Sequence, residues 1–173
     1  MDSKISLKTL LSVIAAGIMS FSGVVIETSM NITFPTLMHD FNVGTSTVQW
    51  MTTIYLLIVS IVVPLSAILN RNFKTKQLFI VANLLFILGV VCDLCAPTFS
   101  VLLLGRVIQG FGTGIALPLM FNIILDQVPA EKIGVMMGVG NLITAIAPAV
   151  GPTFGGIVVS SIGWRYIFAI LLP

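Results

Sequence analysis

Long apolar stretches separated by short polar breaks dominate the hydrophobic pattern of this chain. Five stretches have the length of about 20 residues that a helix needs to cross the hydrocarbon core of a bilayer. A sixth begins near Trp164 and reaches the last residue, Pro173, before it attains that length. The pattern therefore predicts helices at about 10–34, 46–69, 77–96, 99–124 and 134–160, with an incomplete helix at 164–173.

The breaks between the stretches are short and carry turn-forming residues, such as Pro35, Pro97, Pro129 and Gly163. Connections of this length place consecutive helices side by side in antiparallel order. The predicted fold class is therefore an all-α integral membrane bundle of six helices over residues 1–173, with the sixth helix truncated.

The composition agrees with a lipid environment. Hydrophobic residues make up 57% of the 173 residues and charged residues only 8%, whereas a soluble domain carries about 25% charged residues. A single water-soluble core of this size could not hide so much apolar surface. The net charge of +2 says little about partners, and no basic cluster or aromatic platform suggests nucleic acid.

Lysine and arginine predict how the helices are oriented. Positively charged loops stay on the cytoplasmic side of a membrane. Only Arg165 falls on the other side, where Trp50 and Trp164 are expected in an interfacial aromatic belt. The N-terminus is therefore predicted to be cytoplasmic in a multi-pass protein of the plasma membrane. The residues on the predicted cytoplasmic side are Lys4, Lys8, Arg71, Lys74, Lys76 and Lys132.

Two charged residues interrupt the apolar stretches, Glu27 in the first and Arg106 in the fourth. A charge at the centre of a membrane helix costs roughly 2.5–3.5 kcal/mol on insertion scales, so it needs a partner, water or a proton. Counted from the predicted outer helix ends, Glu27 lies about seven residues inside and Arg106 about eight, or roughly 10–12 Å at 1.5 Å per residue. They should therefore share a depth in the outer half of the membrane.

Ionisable residues within a membrane usually mark a pathway. We expect Glu27, as a titratable carboxylate next to the fixed cation Arg106, to load and release a proton when its hydration or its distance from the cation changes. The alternative is a static buried pair that fixes the first and fourth helices together.

Polar residues at helical spacing accompany both charges. Asn31 lies one turn from Glu27, and Gln109 and Thr113 follow Arg106 on one face. Such faces predict a cavity rather than contact with lipid. The predicted cavity residues are Asn31, Met30, Gln109, Thr113, Asn141 and Thr144.

Glycine and proline concentrate in the fifth stretch. Small residues four apart let helices approach closely, and prolines favour kinks. Tight packing explains most glycines, but this density also predicts a bent, smooth surface on which another helix can slide. The residues concerned are Pro148, Gly151, Pro152, Gly155 and Gly156.

No pattern of residues indicates an enzyme. Cys92 and Cys95 have Cys-x-x-Cys spacing, but without a second pair or a nearby histidine they are expected to be helix-packing residues. The single histidine, His39, is expected in a solvated outer loop. Neither a metal ion nor another cofactor is predicted.

These motifs together resemble the N-terminal part of a major facilitator superfamily transporter, specifically the fourteen-helix drug:proton antiporters. The chain is most similar to the multidrug and lincomycin-resistance exporters of Gram-positive bacteria. The matching segments are Glu27 to Pro35, Gln49-Trp50 with Tyr55-Leu56, Arg106-Val107-Ile108-Gln109-Gly110, Gly151-Pro152-x-x-Gly155-Gly156 and Trp164 to Phe168. In that family, the Arg-x-x-Gln-Gly motif is linked to proton coupling and the glycine–proline motif to antiport.

One loop departs from the family pattern. Arg71 stands where the family usually has the aspartate of a cytoplasmic gate, and Lys74 replaces a glycine. The basic character survives while the acid does not. For Arg71, Lys74 and Lys76 we therefore favour a role in setting the topology.

The resemblance implies one of two six-helix bundles that rock about a central site. The six helices would form two inverted three-helix repeats, and the fifth would face the missing C-terminal bundle. The implied function is proton-coupled efflux of drugs or other amphipathic, often cationic, small molecules, with the lipid bilayer, protons and the substrate as partners. The alternative is a truncated membrane module or gene remnant that transports nothing.

Overall fold

The computed structural model describes residues 5–172, and every element within that range is helical. Two residues of the sequence predictions, Lys4 and Pro173, lie outside it. The helices are α1 (Leu7–Met30), a 3-10 turn (Asn31–Thr33), α2 (Phe34–Phe41), α3 (Thr45–Val48), α4 (Trp50–Asn72), α5 (Thr75–Leu94), α6 (Phe99–Gln127), α7 (Ala130–Ser161) and α8 (Arg165–Ile170).

Five helical segments of the described range are long and apolar enough to cross a membrane. The all-α membrane fold predicted from the sequence is therefore confirmed. The short α8 follows the last of them. The spanning segments are Leu7–Phe41, Thr45–Asn72, Thr75–Leu94, Phe99–Gln127 and Ala130–Ser161.

The first helical segment is longer than its sequence pattern predicted. It was expected to end near Phe34, but it passes through the 3-10 turn into α2 and ends at Phe41. Pro35 does not stop it, because proline in the first turn of a helix lacks only an N–H that would have no helical partner there. The segment ends at Phe41 instead, followed by the cap residue Asn42, whose backbone is left-handed with φ 50°. Glu27 therefore lies about 21 Å from that end, at 1.5 Å per residue, and not about 10 Å.

Helices α1 and α6 form the centre of the bundle. In an 18-residue apolar stretch of each segment, the buried share is 56% for the first segment and 61% for α6. The corresponding share is only 17% for the segment containing α4 and 22% for α7. Helix α7 packs on α1, while α4 and α5 pack on α6. This reciprocal packing, in which the second and fifth spans each cover a central one, agrees with two inverted three-helix repeats.

The glycine-rich part of α7 packs closely against α1. A Cβ on Gly155 would lie 2.9 Å from the Cα of Ser29, so only glycine permits this approach. The hydroxyl of Ser29 donates a hydrogen bond of 2.7 Å to the carbonyl of Gly151. Helix α7 continues through Pro148 and Pro152. Part of the run that was expected to offer a sliding surface is therefore buried inside this bundle.

An aromatic cluster lies at the bundle end where α2 meets α8. Trp164 is only 3% exposed there, its ring is 5.8 Å from that of Phe41, and its Nε1 donates to Asp40 at 3.0 Å. The prediction that Trp164 belongs to a lipid-facing belt is therefore wrong, because the ring is an internal packing element. Trp50, which is 52% exposed, keeps the accessible position expected for it.

Basic residues mark the opposite end of the bundle. Lys8 and Lys76 both line a cleft of about 840 Å³ between the first turns of α1 and α5 and the last part of α6. Arg71, in the last turn of α4, and Lys74, in the connection to α5, are both exposed. These side chains are accessible to solvent or to lipid head groups.

Candidate functional site

A fully buried arginine is the centre of the candidate site. The Nη1 of Arg106 donates to Gln109 Oε1 at 2.6 Å, one turn further along α6. Its Nε donates to the backbone carbonyl of Met51 on α4 at 3.4 Å. The guanidinium carbon also lies 4.2 Å from the centre of the Tyr55 ring. Hydrogen bonds and a cation–π contact thus hold this charge between two helices.

A close crossing of three helices positions Tyr55. Its hydroxyl donates to the carbonyl of Gly23 on α1 at 3.3 Å. A Cβ on Gly23 would lie 2.8 Å from Thr113 Oγ1 on α6, so a larger residue would push the helices apart. Because Gly23 has no side chain, α1, α4 and α6 can approach each other closely beside Arg106.

Glu27 and Arg106 lie at similar levels of the bundle. Because Gly23 contacts Thr113, Glu27 is about 6 Å from that crossing along α1 and Arg106 about 10 Å along α6, at 1.5 Å per residue. The side chain of Glu27 is half-buried and interacts electrostatically with Arg106. Within residues 5–172 the two side chains do not form an ion pair, whereas His39 and Asp40 do, at 3.5 Å.

Asp93 is a second buried carboxylate, and the sequence analysis missed it. Its side chain is 0% exposed near the end of α5, against Gly105 of α6. Like Glu27, it interacts electrostatically with Arg106. Near the end of an apolar stretch, it resembled an ordinary terminal charge. The sequence feature that could have indicated its burial is Gly89, one turn earlier on the same face, because a glycine there allows a close helix contact.

Two of the predicted cavity residues lie in this cluster. Gln109 binds Arg106, and Thr113 is buried at the three-helix crossing. Asn31 is exposed in the 3-10 turn that follows α1, where its Oδ1 accepts a hydrogen bond of 2.9 Å from the Thr52 hydroxyl. Since Asn31 lies one turn from Glu27, the two share a face.

Three other predicted cavity residues lie elsewhere. Met30 is 0% exposed in the hydrophobic core, so it lines no open cavity within this bundle, and its role in a substrate cavity stays a prediction. Asn141 is exposed on α7. The hydroxyl of Thr144 donates within its own helix, to the carbonyls of Gly140 and Asn141.

The glycine–proline motif of α7 has two faces. Gly151 and Gly155 are buried against Thr28 and Ser29 of α1. A Cβ added to Gly156 would meet nothing within 4 Å. The exposed prolines of the motif are Pro148 and Pro152.

The chemistry available to the cluster is acid–base and electrostatic. It combines a buried cation, a half-buried acid, a fully buried acid and a neutral amide. No group of three or more His, Cys, Asp or Glu that could hold a metal ion occurs in the described range. Carboxylic acids can bind and release protons, and a nearby cation changes their proton affinity.

Comparison with known proteins places this site in a family context. Residues 11–173 match the family described as Major Facilitator Superfamily. The chain is 46% identical over 164 residues to the lincomycin resistance protein LmrB of Bacillus subtilis, covering 95% of this chain and 34% of that protein. It is 42% identical over 162 residues to LmrB of Listeria monocytogenes, covering 93% and 34%.

A more distant relative carries a related description. The chain is 32% identical over 146 residues to the multidrug resistance protein B homolog of Mycobacterium tuberculosis, covering 84% of this chain and 27% of that protein. The chain thus spans about a third of the length of the relatives that it matches.

Proposed function

This chain belongs to the Major Facilitator Superfamily, and we propose that it is the N-terminal part of a transporter that expels amphipathic small molecules in exchange for protons. The names of its relatives support drugs as the substrate class, since they record resistance to lincomycin and to multiple drugs. Their greater length supports a second bundle that completes the substrate pathway.

The observation that carries this proposal is the buried Arg106 cluster. Placing an arginine in a membrane bundle is costly, and an unneeded charge would be replaced by an apolar residue at little structural cost. Arg106 is nevertheless fully buried here, with Gln109, Tyr55 and the Met51 carbonyl around it. A fixed cation near a titratable acid changes the proton affinity of that acid, which supports a proton-coupled mechanism.

Glu27 is the proposed proton carrier. It is the half-buried acid of the cluster, so a change in helix packing can open it to water or close it off. Asn31 lies one turn away on the same face and extends the polar surface. This surface would line the substrate pathway and attract cationic compounds electrostatically.

The proposed setting is the plasma membrane, with the N-terminus in the cytoplasm. The exposed basic residues Arg71, Lys74 and Lys76 support this orientation under the positive-inside rule. The C-terminal bundle would cover α7, whose apolar surface is largely unburied here. The open side of Gly156 would then face that bundle.

The test is a pair of acid-to-amide substitutions in the complete transporter, assayed in inverted membrane vesicles. We expect Glu27→Gln to abolish substrate uptake driven by a proton gradient while membrane insertion stays normal. Asp126→Asn is the matched control, because Asp126 is an exposed acid at the end of α6. Undiminished proton-driven transport by Glu27→Gln would reject the role of Glu27, and absence of transport by the unsubstituted protein would favour a non-transporting module.

A further inference from the structure

Asp93 occupies an unusual position for a carboxylate. It is fully buried, and neither of its side-chain oxygens has a hydrogen-bond partner within the described part of the chain. An unpaired polar group in a membrane protein interior is costly. Its presence therefore calls for a partner that reaches it in another arrangement of the same helices.

The backbone of α6 makes room for this carboxylate. A Cβ on Gly105 would collide with Asp93 Oδ1. One turn earlier on α5, a Cβ on Gly89 would lie 2.7 Å from both the Gly105 carbonyl oxygen and the Gln109 nitrogen. The two glycines thus let α5 and α6 touch along their backbones. As a result, the Asp93 carboxyl lies against the residue that immediately precedes Arg106.

Arg106 likewise has a buried hydrogen-bond donor without a partner in the described part of the chain. Its Nη2 is buried and has no hydrogen-bond partner among residues 5–172. Its other donors bind neutral oxygens, those of Gln109 and Met51. An unpaired donor and an unpaired carboxylate thus occur on neighbouring surfaces of two helices in direct contact.

The other charged groups around α5 do not serve as this partner. Arg165, the first residue of α8, donates to the Ala96 carbonyl at 2.6 Å, and its guanidinium carbon lies 4.6 Å from the Trp164 ring centre. Glu27 on α1 has the same sign as an ionised Asp93. Arg106 is the buried cation of this cluster, and Gly105, against which the Asp93 carboxyl lies, immediately precedes it on α6.

We infer that Asp93 is a second anionic partner of Arg106, and that the guanidinium exchanges Gln109 and Met51 for Asp93 during the transport cycle. Glu27 and Asp93 then share one cation. When Arg106 turns to Asp93, the electrostatic attraction between Arg106 and Glu27 weakens and Glu27 can take up a proton. Asp93 is thus a positioning residue, and this role rests on the proposed proton-coupled function.

Pairing between Asp93 and Arg106 is tested by a double-mutant cycle of thermal stability in the purified complete transporter. We expect Asp93→Asn to lower the unfolding temperature in the unsubstituted protein. In an Arg106→Gln background it should raise that temperature, because it removes a carboxylate that has lost its cation. Asp126→Asn should behave alike in both backgrounds. Equal destabilisation by Asp93→Asn in both would overturn the pairing.

The role in transport is tested by two fluxes in proteoliposomes, each normalised to folded protein. We expect Asp93→Asn to slow proton-driven flux about tenfold, a change of about 1.4 kcal/mol in activation free energy. Substrate counterflow, which needs no net proton movement, should be unchanged. An equal fall in both fluxes, or no fall in either, would overturn the role.

These two tests separate this inference from the proposed function. The stability cycle needs no transport activity, so the pairing can be judged even if the unsubstituted protein moves no substrate. Conversely, normal proton-driven flux in Asp93→Asn would overturn the role of Asp93 and leave that of Glu27 intact.

Discussion

The guanidinium of Arg106 lies over the ring of Tyr55, with 4.2 Å between the guanidinium carbon and the ring centre. This contact joins the fourth membrane span to the second. Because the Tyr55 hydroxyl also binds the Gly23 carbonyl, one side chain connects the buried charge to the first span as well. Tyr55 therefore contacts α1 and α6, the two helices that surround the cation together with its own helix.

Substitutions of Tyr55 should separate its ring from its hydroxyl. Tyr55→Phe keeps the cation–π contact and loses only a long hydrogen bond, so we expect a loss of about 0.5–1 kcal/mol in unfolding free energy. Tyr55→Leu also removes the ring and should cost about 1–2 kcal/mol more. Thermal unfolding in detergent measures both. Tyr166→Phe is the control at an exposed tyrosine, and a Tyr55→Phe loss as large as that of Tyr55→Leu would contradict a role for the ring.

Replacing Arg106 by lysine should show whether charge alone is sufficient. Lysine keeps the positive charge but cannot reproduce the fork that binds Gln109 and Met51 while stacking on Tyr55. We expect Arg106→Lys to reduce proton-driven transport at least about tenfold, or ~1.4 kcal/mol in the barrier. Arg71→Lys, at an exposed position, should leave transport unchanged. Near-normal flux in Arg106→Lys would show that geometry at this site is unimportant.

The contact of α7 with α1 should be sensitive to a single methyl group. In Gly155→Ala the new Cβ would approach the Ser29 Cα to 2.9 Å, and such overpacking typically costs about 1–3 kcal/mol. Gly138→Ala, where a Cβ meets nothing within 4 Å, should instead gain up to about 1 kcal/mol from helix propensity. Thermal unfolding of the chain in detergent compares them. Equal behaviour of the two variants would argue against close packing at Gly155.

The hydrogen bond from Trp164 to Asp40 should stabilise the aromatic end of the bundle. Trp164→Phe keeps an aromatic ring but removes the Nε1 donor, so we expect a loss of about 1.5 kcal/mol in unfolding free energy for a bond to a charged group. Trp50→Phe, at a half-exposed position, should have little effect. In an Asp40→Asn background, Trp164→Phe should no longer lower the unfolding free energy if the bond depends on the charge of the carboxylate.

The boundaries of the first helix show one limit of sequence patterns. Pro35 and the polar pair His39 and Asp40 looked like a break, yet the helical segment continues to Phe41. Proline stops a helix only when the missing N–H or the ring conflicts with the preceding turn. Here a 3-10 turn precedes it and removes that conflict, which the sequence does not reveal.

The candidate site shows a second limit. Glu27 and Arg106 stood out because each interrupts a long apolar stretch, and the structure puts them at similar levels. Asp93 did not stand out, because it lies close to the end of its stretch. Its burial depends on Gly105 of another helix, a contact between distant parts of the chain.

The apolar stretches by themselves determined the all-helical membrane fold, since each backbone N–H and carbonyl in lipid must be satisfied within its own helix. That requirement is local, so it can be recognised residue by residue. Only the tertiary structure decided which side chains meet the buried arginine and which way Met30 and Trp164 point. Those outcomes depend on helix rotation and on close approaches at Gly23, Gly105 and Gly155, which arise when helices pack against each other.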